Sequence, residues 1–98
     1  MDEVIESIPT VLVTYVLQLE DKCWYVGRSR DLNKRLASHI LGTGALWVRE
    51  HPFKKLSKVV LGDKEKELTL QYMRKYGFEN VRGHAWTKVN LLKPPKCL

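Results

Sequence analysis

The fold is decided by the stretch VLVTYVLQLEDKCWYVG, residues 11–27. Residues 11–19 are largely apolar and rich in β-branched side chains, which predicts a central strand. The polar residues 20–22 predict a turn, and residues 24–27 predict a short returning strand that ends at a glycine. Two strands joined this tightly form an antiparallel hairpin.

Downstream of the hairpin, the pattern predicts two main helices and a third strand. The predicted elements are a helix capped by Ser29 or Asp31 that runs to about Leu41, one or two helical turns over residues 45–50, a strand over residues 55–61, and a helix from the N-cap Asp63 to Tyr76 and Gly77. This order predicts one α/β domain of the α+β type over residues 1–98, with a three-stranded, mostly antiparallel sheet flanked by helices. We expect residues 1–9 to form a mobile arm and residues 93–98 an irregular tail.

The composition is that of a basic globular protein. Of its 98 residues 44% are apolar, and 17 basic residues against 11 acidic ones leave a net charge of +6, which favours a polyanionic partner. No apolar run approaches the roughly 20 residues of a membrane span, and the acidic N-terminus is unlike a secretory signal. We therefore expect a soluble intracellular protein, cytoplasmic or nuclear, with no membrane partner. Cys23 and Cys97 match no metal-ligand spacing and are expected to stay reduced.

The first predicted helix carries an arginine and a histidine beside its buried face. At 100° per residue, that face is formed by Leu32, Leu36 and Ile40. His39 lies about 20° from Leu32, and Arg35 lies about 60° from it. An arginine next to apolar side chains needs an acceptor, which is either a structural carboxylate or a phosphate that fits the planar guanidinium.

Two tyrosines precede this helix at a spacing of ten residues. Tyr15 and Tyr25, each taken alone, would be core aromatics, and His39 alone would be a histidine at the edge of the core. Together with Arg35 they supply two phenols, an imidazole and a guanidinium. Such a set is typical of a site that binds a phosphate and moves a proton, which indicates phosphodiester chemistry.

With these residues in place, the chain resembles the GIY-YIG nuclease superfamily from about Val13 to Trp86. Val13-Thr14-Tyr15 stands where the family has Gly-Ile-Tyr, and Tyr25-Val26-Gly27 matches the second motif. Residues 72–83 are similar to the second-helix region of small stand-alone members, several of them viral. Further positions that match the family's spacing are Arg28, Arg35 and His39.

The resemblance also implies a metal-binding glutamate on the second helix, for which Glu65 and Glu67 are the candidates. Leu68, Tyr72 and Tyr76 form the apolar stripe of this helix. Glu65 lies about 60° from Leu68, inside that stripe, whereas Glu67 lies about 260° from it, on the other face. An inward glutamate needs a cation or a donor, so we assign the metal to Glu65 and interpret Glu67 as a solvated charge. The family's late asparagine matches Asn80, which is alternatively a turn residue after the helix.

The resemblance implies a metal-dependent endonuclease that hydrolyses DNA phosphodiester bonds with one Mg²⁺ or Mn²⁺ ion. A lone glutamate suffices for Mg²⁺ because water and phosphate complete its coordination. The general base is Tyr15, with Tyr25 and His39 as the alternatives. Arg28 and Arg35 would bind the phosphate and lower the tyrosine's pKa. Asn80 would position the end of the helix or the substrate.

Two other classes of function stay open at this point. One is a catalytically silent nucleic-acid-binding module that keeps the fold, and the other is a protein-interaction domain whose basic surface binds an acidic partner. Family members act in excision repair, junction resolution, restriction and mobile-element homing, so the DNA structure that would be cleaved is open. Specificity would come from a targeting partner protein or be low, and the oligomeric state is undetermined. The three tryptophans are expected in or beside the core, with one of them available to stack on a base. No partner is predicted for His51 or His84.

Overall fold

The computed structural model describes residues 11–98, so the predicted arm of residues 1–9 lies outside the described residues. Its strands and α-helices are β1 (Val13–Leu19), β2 (Trp24–Ser29), α1 (Leu32–Ile40), α2 (Leu46–Glu50), β3 (Phe53–Leu61), α3 (Glu65–Tyr76) and β4 (Val81–Gly83). Short 3₁₀ turns at Glu20–Lys22 and Phe78–Asn80 follow β1 and α3. Residues 93–98 contain no helix or strand, as predicted for the tail.

The strands form a four-stranded sheet in the order β3-β1-β2-β4. β1 is antiparallel to both β2 and β3, and β4 is parallel to β2. The prediction of a mixed α/β fold is confirmed, but the prediction of three strands is wrong by one. β4 was missed because its three residues, Val-Arg-Gly, include an arginine and a glycine and show no strand periodicity.

Alternation along β1 divides the core between the two faces of the sheet. Tyr15, Leu17 and Leu19 point to one face, where they pack with Trp47 and with other residues of α1 and α2. Val16 points to the other face, where it packs with Val26 and with Leu68 of α3. The sheet is therefore a middle layer, and each helix covers the face that its apolar side chains require.

The hairpin turn has two consecutive residues in the left-handed region. Asp21 has a φ of 62° and Lys22 a φ of 59°, and the Cys23 amide donates to the Glu20 carbonyl at 3.3 Å. Two positive φ values are the geometry of a type I′ turn, whose twist suits a tight antiparallel hairpin. The Asp21 carboxylate contacts the imidazole of His51 at 3.0 Å, so the expectation that His51 has no partner was wrong.

Helix α1 begins and ends close to the predicted residues, but its buried face is different. Asp31 is the N-cap, accepting from the Lys34 amide at 3.1 Å. Ile40 is 60% exposed, whereas His39 is 3% exposed. The prediction that Ile40 is buried was therefore wrong, because the sheet covers the side of the helix on which the histidine lies.

Helix α3 is anchored to the start of β1 by a threonine that the sequence did not single out. Its N-cap is Lys64, one residue after the predicted Asp63. Thr14 Oγ1 accepts from the Lys64 amide at 2.7 Å and donates to the Gly62 carbonyl at 2.7 Å. Asp63 still accepts from the Glu65 amide, at 3.2 Å. These bonds fix the first turn of α3 against the sheet.

Two further findings bear on the sequence predictions. Cys23 is buried, Cys97 is exposed and both are free thiols. Between residues 11 and 98 no helix is both long enough and apolar enough to cross a bilayer.

Candidate active site

Tyr15, Tyr25 and His39 form a compact cluster between the sheet and α1. The ring centroids are 6.4 Å apart for the two tyrosines, 5.8 Å for Tyr15 and His39, and 5.3 Å for Tyr25 and His39. The Tyr15 hydroxyl lies 2.8 Å from Nε2 of His39, a buried hydrogen bond. The structure thus brings together three of the residues that the sequence assigned to one site.

Two glycines make room for this cluster. Gly27 lies opposite Tyr15 in the antiparallel register. A Cβ at Gly27 would lie 2.6 Å from Tyr15 Cζ and 2.9 Å from Tyr25 Cε2. A Cβ at Gly44 would lie 2.5 Å from Nδ1 of His39. The glycine of the second sequence motif therefore allows the two phenol rings to approach each other, and Gly44 does the same for the imidazole.

Burial decides the protonation of the cluster. Desolvation raises the pKa of Tyr15 to about 12, although the interaction with Arg35 lowers it in part. Burial also raises the pKa of Tyr25. Desolvation and the nearby charge of Arg35 lower the pKa of His39 to about 4. At neutral pH the phenols and the imidazole are therefore all uncharged.

This result corrects the expected electrostatics of Tyr15. The sequence predicted that cations would lower its pKa, but burial outweighs the effect of Arg35. With Tyr15 protonated and His39 neutral, the hydroxyl donates to Nε2 in the tautomer that carries its proton on Nδ1, and accepts from Nε2 in the other tautomer. In the described part of the chain, Nδ1 of His39 is the one buried side-chain nitrogen or oxygen atom without a hydrogen-bond partner.

Arg35 connects the buried cluster to the surface. Its interactions with the hydroxyls of Tyr15 and Tyr25 raise its own pKa, although the residue as a whole is exposed. It also lines a surface cavity of about 200 Å³, together with Ser29, Asp31, Lys34 and Ser38. An anion in this cavity would meet a guanidinium that already interacts with both phenols.

Arg28 is held by two carboxylates at the edge of the site. Its Nη1 donates to Asp63 Oδ2 at 2.6 Å, and its Nε lies 3.7 Å from Glu65 Oε1. The arginine therefore spans the end of β2 and the start of α3. The described contacts of Arg28 are with carboxylates, not with the tyrosines.

Glu65 lies on the inner side of α3, as the helical geometry predicted, and Glu67 is exposed. The side chain of Glu65 is 15% exposed, and its Oε1 lies between Arg28 Nε at 3.7 Å and His84 Nδ1 at 3.5 Å. Its charge contributes to the raised pKa of both tyrosines, so the carboxylate lies within electrostatic reach of the phenols. Thr69, one turn later, donates to the Glu65 carbonyl at 2.6 Å.

The donor set fits a hard divalent cation held by few protein ligands. Within residues 11–98, no group of three or more His, Cys, Asp or Glu side chains is arranged to hold a metal ion. Mg²⁺ is commonly bound by one or two carboxylates, with waters and substrate phosphates completing its shell. The half-buried carboxylate of Glu65 suits that manner of binding.

Asn80 lies at the far end of α3 from Glu65. Its Nδ2 donates to the Tyr76 carbonyl at 2.9 Å, which closes the last turn of the helix. It lines a cavity of about 510 Å³, shared with Asp21, His51 and Arg82, whose lining includes neither tyrosine of the cluster. This contact is the one expected of a residue that positions the end of the helix.

His84 is the polar residue of this region that the sequence did not assign. It has a φ of 54°, and its Nδ1 faces Glu65. The expectation that it has no partner was wrong, since the contact joins the end of β4 to the start of α3. The sequence signal was weak: a histidine directly after a glycine is compatible with a left-handed turn.

The fold and the site define a small α/β domain with a buried Tyr–Tyr–His cluster and a nearby half-buried carboxylate.

Comparison with known proteins identifies relatives of the chain. Over 81 residues, 82% of its length, the chain is 33% identical to the UPF0213 protein YsiG of Lactococcus lactis subsp. lactis, and the match covers 78% of that protein. Over a stretch of the same length it is 35% identical to a UPF0213 protein of Lactococcus lactis subsp. cremoris, covering 83% of that protein. A UPF0213 protein of Halalkalibacterium halodurans is 30% identical over 63 residues, 63% of this chain and 67% of that protein.

The chain belongs to the UPF0213 family. No protein-family model matches it. No solved structure matches it either.

Proposed function

We propose that the protein is a metal-dependent endonuclease of the GIY-YIG type that hydrolyses DNA phosphodiester bonds at a single-metal site. The observation that carries the proposal is the buried hydrogen bond of 2.8 Å between Tyr15 and His39. Arg35 interacts with the same phenol, and Glu65 lies within electrostatic reach of it. The residues proposed to bind the phosphate, to relay the proton and to hold the metal thus lie near one another, which supports the proposal.

The proton relay runs from water to the imidazole. The attacking water gives a proton to the Tyr15 oxygen while Tyr15 passes its own proton to Nε2 of His39. The water oxygen forms the new bond to phosphorus, and the bond to the leaving oxygen breaks. The leaving oxygen then takes up a proton from solvent. This relay keeps Tyr15 from becoming a free phenolate, which a pKa of about 12 would make costly near neutral pH.

A substrate phosphate would favour the relay. His39 is a weak base in the structure because burial and Arg35 lower its pKa to about 4. An anion bound at Arg35 offsets the positive charge of the guanidinium and so raises the pKa of the imidazole. A bound phosphate therefore counters the effect of Arg35 on His39, while burial continues to oppose a charged imidazole.

The proposed roles of the other site residues follow from where each residue lies relative to the tyrosine cluster and α3. Arg35 would bind the scissile phosphate, and Arg28 would contact the backbone when it leaves Asp63. A divalent ion held by Glu65, Mg²⁺ or Mn²⁺, would supply positive charge where the leaving oxygen becomes negative. Asn80 would fix the end of α3 and thereby the tilt of the helix that carries Glu65. The net charge of +6 favours DNA as the partner inside the cell, and a targeting protein would supply specificity.

The test compares two glutamates that differ in burial but share one helix. Purified protein is incubated with branched and duplex DNA, with Mg²⁺ or with EDTA. Glu65→Ala should abolish metal-dependent cleavage while leaving DNA binding nearly intact, because Glu65 is proposed to hold the metal and not to contact the DNA. Glu67→Ala, the matched control, should cleave at the wild-type rate.

Two outcomes would contradict the proposal. Full activity of Glu65→Ala, with loss in Glu67→Ala, would reverse the assignment of the metal ligand. Wild-type protein that binds DNA tightly without cutting any substrate would favour the catalytically silent binding module.

A further inference from the structure

His84 holds an uncommon backbone conformation that directs it to Glu65. Its φ of 54° lies in the left-handed region, which among the described non-glycine residues is shared with Asp21 and Lys22 alone. Such a conformation persists where the surrounding structure enforces it. Here the enforcing contacts are the two main-chain hydrogen bonds of 2.9 Å between Gly83 and Trp86, which close a turn that has His84 and Ala85 at its centre. Gly83 holds this turn close to the sheet, since a Cβ there would lie 2.5 Å from the Val26 carbonyl oxygen.

The turn that Gly83 and Trp86 close places two potential ligands next to each other at the edge of the site. His84 Nδ1 lies 3.5 Å from Glu65 Oε1. Two ligands at right angles on an octahedral ion, with bonds of about 2.1 Å, are about 3.0 Å apart. The observed spacing is therefore near the value that a shared ion needs. The ring of Trp86 packs against the imidazole, with centroids 5.3 Å apart, and limits its rotation.

We propose that His84 is a second protein ligand of the divalent ion held by Glu65 and shifts the preference of the site from Mg²⁺ toward Mn²⁺. The inference rests on the proposed function for the presence of an ion at Glu65. Carboxylate and water ligands suit Mg²⁺, whereas an imidazole nitrogen adds affinity for transition metals such as Mn²⁺.

The neighbouring charges are compatible with this role. Arg28 also lies beside Glu65, but its shorter contact is with Asp63, at 2.6 Å against 3.7 Å for Glu65. Asp63 can therefore retain the guanidinium while an ion occupies the space between Glu65 and His84. The competing explanation is that His84 and Glu65 form an ion pair and nothing more.

The test measures metal binding without cleavage, on the purified protein with MnCl₂ or MgCl₂ as the probe. Binding is followed by calorimetry, and the site is located by the paramagnetic broadening that Mn²⁺ causes in the imidazole NMR signals. His84→Gly removes the ligand but tolerates the positive φ. We expect it to weaken Mn²⁺ binding at least about tenfold, as loss of metal-site partners commonly does. Mg²⁺ affinity should change less than about threefold, because Mg²⁺ gains little from an imidazole.

The control is His51→Gln, which removes another imidazole that contacts a carboxylate, that of Asp21 at 3.0 Å. It should leave Mn²⁺ affinity unchanged, and Mn²⁺ should broaden the signals of His84 much more than those of His51. His84→Asn, which also tolerates a positive φ, should shift the preference back toward Mg²⁺ because it offers an oxygen.

The outcomes separate this inference from the proposed function. If Mn²⁺ binding depends on Glu65 but is unchanged in His84→Gly, the second ligand is overturned and the nuclease proposal stands. Binding lost in both variants, in a protein that cuts no DNA, would support the ligand pair and overturn the nuclease. Absence of Mn²⁺ binding by the wild type would overturn His84 as a ligand.

Discussion

Two buried polar regions of the protein, one around Arg82 and one around His39, differ in how completely their side chains are hydrogen-bonded. Arg82 is 2% exposed, and its guanidinium donates to five main-chain carbonyls at 2.6–3.3 Å. It also stacks on Trp47, with Cζ 4.1 Å from the ring centroid. Every nitrogen of this guanidinium has an acceptor within its own chain. That saturation is the mark of a structural residue.

The cluster around His39 is equally buried and less complete. Nδ1 of the imidazole has no hydrogen-bond partner among the described residues, and Arg35 extends from the phenols to a surface cavity. A polar network with spare hydrogen-bonding capacity can bind a ligand or move a proton, whereas a saturated one cannot without breaking. The comparison therefore favours the tyrosine cluster as the place for the proposed chemistry and indicates a structural role for the region around Arg82.

The largest expected effect comes from exchanging the two arginines for neutral residues of similar length. Arg82→Met removes the guanidinium that donates to five main-chain carbonyls and should lower the free energy of unfolding by about 3–5 kcal/mol. Arg35→Met removes an exposed guanidinium and should change stability by less than about 1 kcal/mol, while cleavage falls by about 10²–10³-fold. Urea denaturation and single-turnover cleavage measure the two effects.

The control for this exchange is Lys58→Met, which removes an exposed cation of β3 that lines neither of the two cavities and should affect both measurements little. Equal loss of stability in the two arginine variants would remove the distinction between the regions. Normal cleavage in Arg35→Met would remove Arg35 from the phosphate site.

A smaller effect should appear when pH is lowered. The pKa of His39 is about 4 in the folded protein, against an ordinary value of 6.5. The unfolded chain therefore binds more protons between these values, and stability falls as pH drops from about 6.5 to about 4. The depression of the pKa sets a limit of about 3 kcal/mol on this loss. Above pH 6.5 the contribution of His39 is constant.

The measurement is the free energy of unfolding of the wild type and of His39→Gln at matched pH. The free energy of unfolding of the wild type, relative to that of His39→Gln, should fall below pH 6.5 and level off near pH 4, since His51 and His84 are present in both proteins. A difference that stays constant across this range would show that His39 is not held neutral by burial.

The sequence predicted the features of the fold that depend on local patterns and missed those that depend on tertiary contacts. Periodicity identified β1 and α3, and helical geometry placed Glu65 inward, because both patterns are local. Helical periodicity wrongly predicted that Ile40 is buried, because the exposure of Ile40 depends on which side of α1 the sheet covers. The role of Arg82 was not predictable in detail, since its acceptors come from residues 78–89, which meet through the tertiary path of the chain.

The site shows the same division between local and tertiary information. The approach of Tyr15, Tyr25 and His39 was predicted from strand and helix spacing. The contact of His84 with Glu65 was not, because it joins residues that are separated by all of α3. The raised pKa of Tyr15 was also missed, since charge can be counted from the sequence but depth of burial cannot.

The smallest expected effect tests whether the turn beside the Arg82 region is purely structural. Asp21 and Lys22 both have positive φ values, the geometry for which Asp-Gly is a preferred pair in a type I′ turn. Lys22→Gly relieves the steric cost of a side chain in this conformation and keeps the Asp21–His51 contact. It should stabilise the protein by about 1 kcal/mol, with the greater flexibility of glycine in the unfolded chain offsetting part of the gain. Lys22→Ala retains the Cβ and should not stabilise the protein.

Cleavage should be unchanged in both variants, because the turn and Arg82 border one cavity while the tyrosine cluster lies outside that cavity. A change in cleavage rate without a change in stability would show that the two regions are coupled, and the division between a structural end and a chemical end of the molecule would fail.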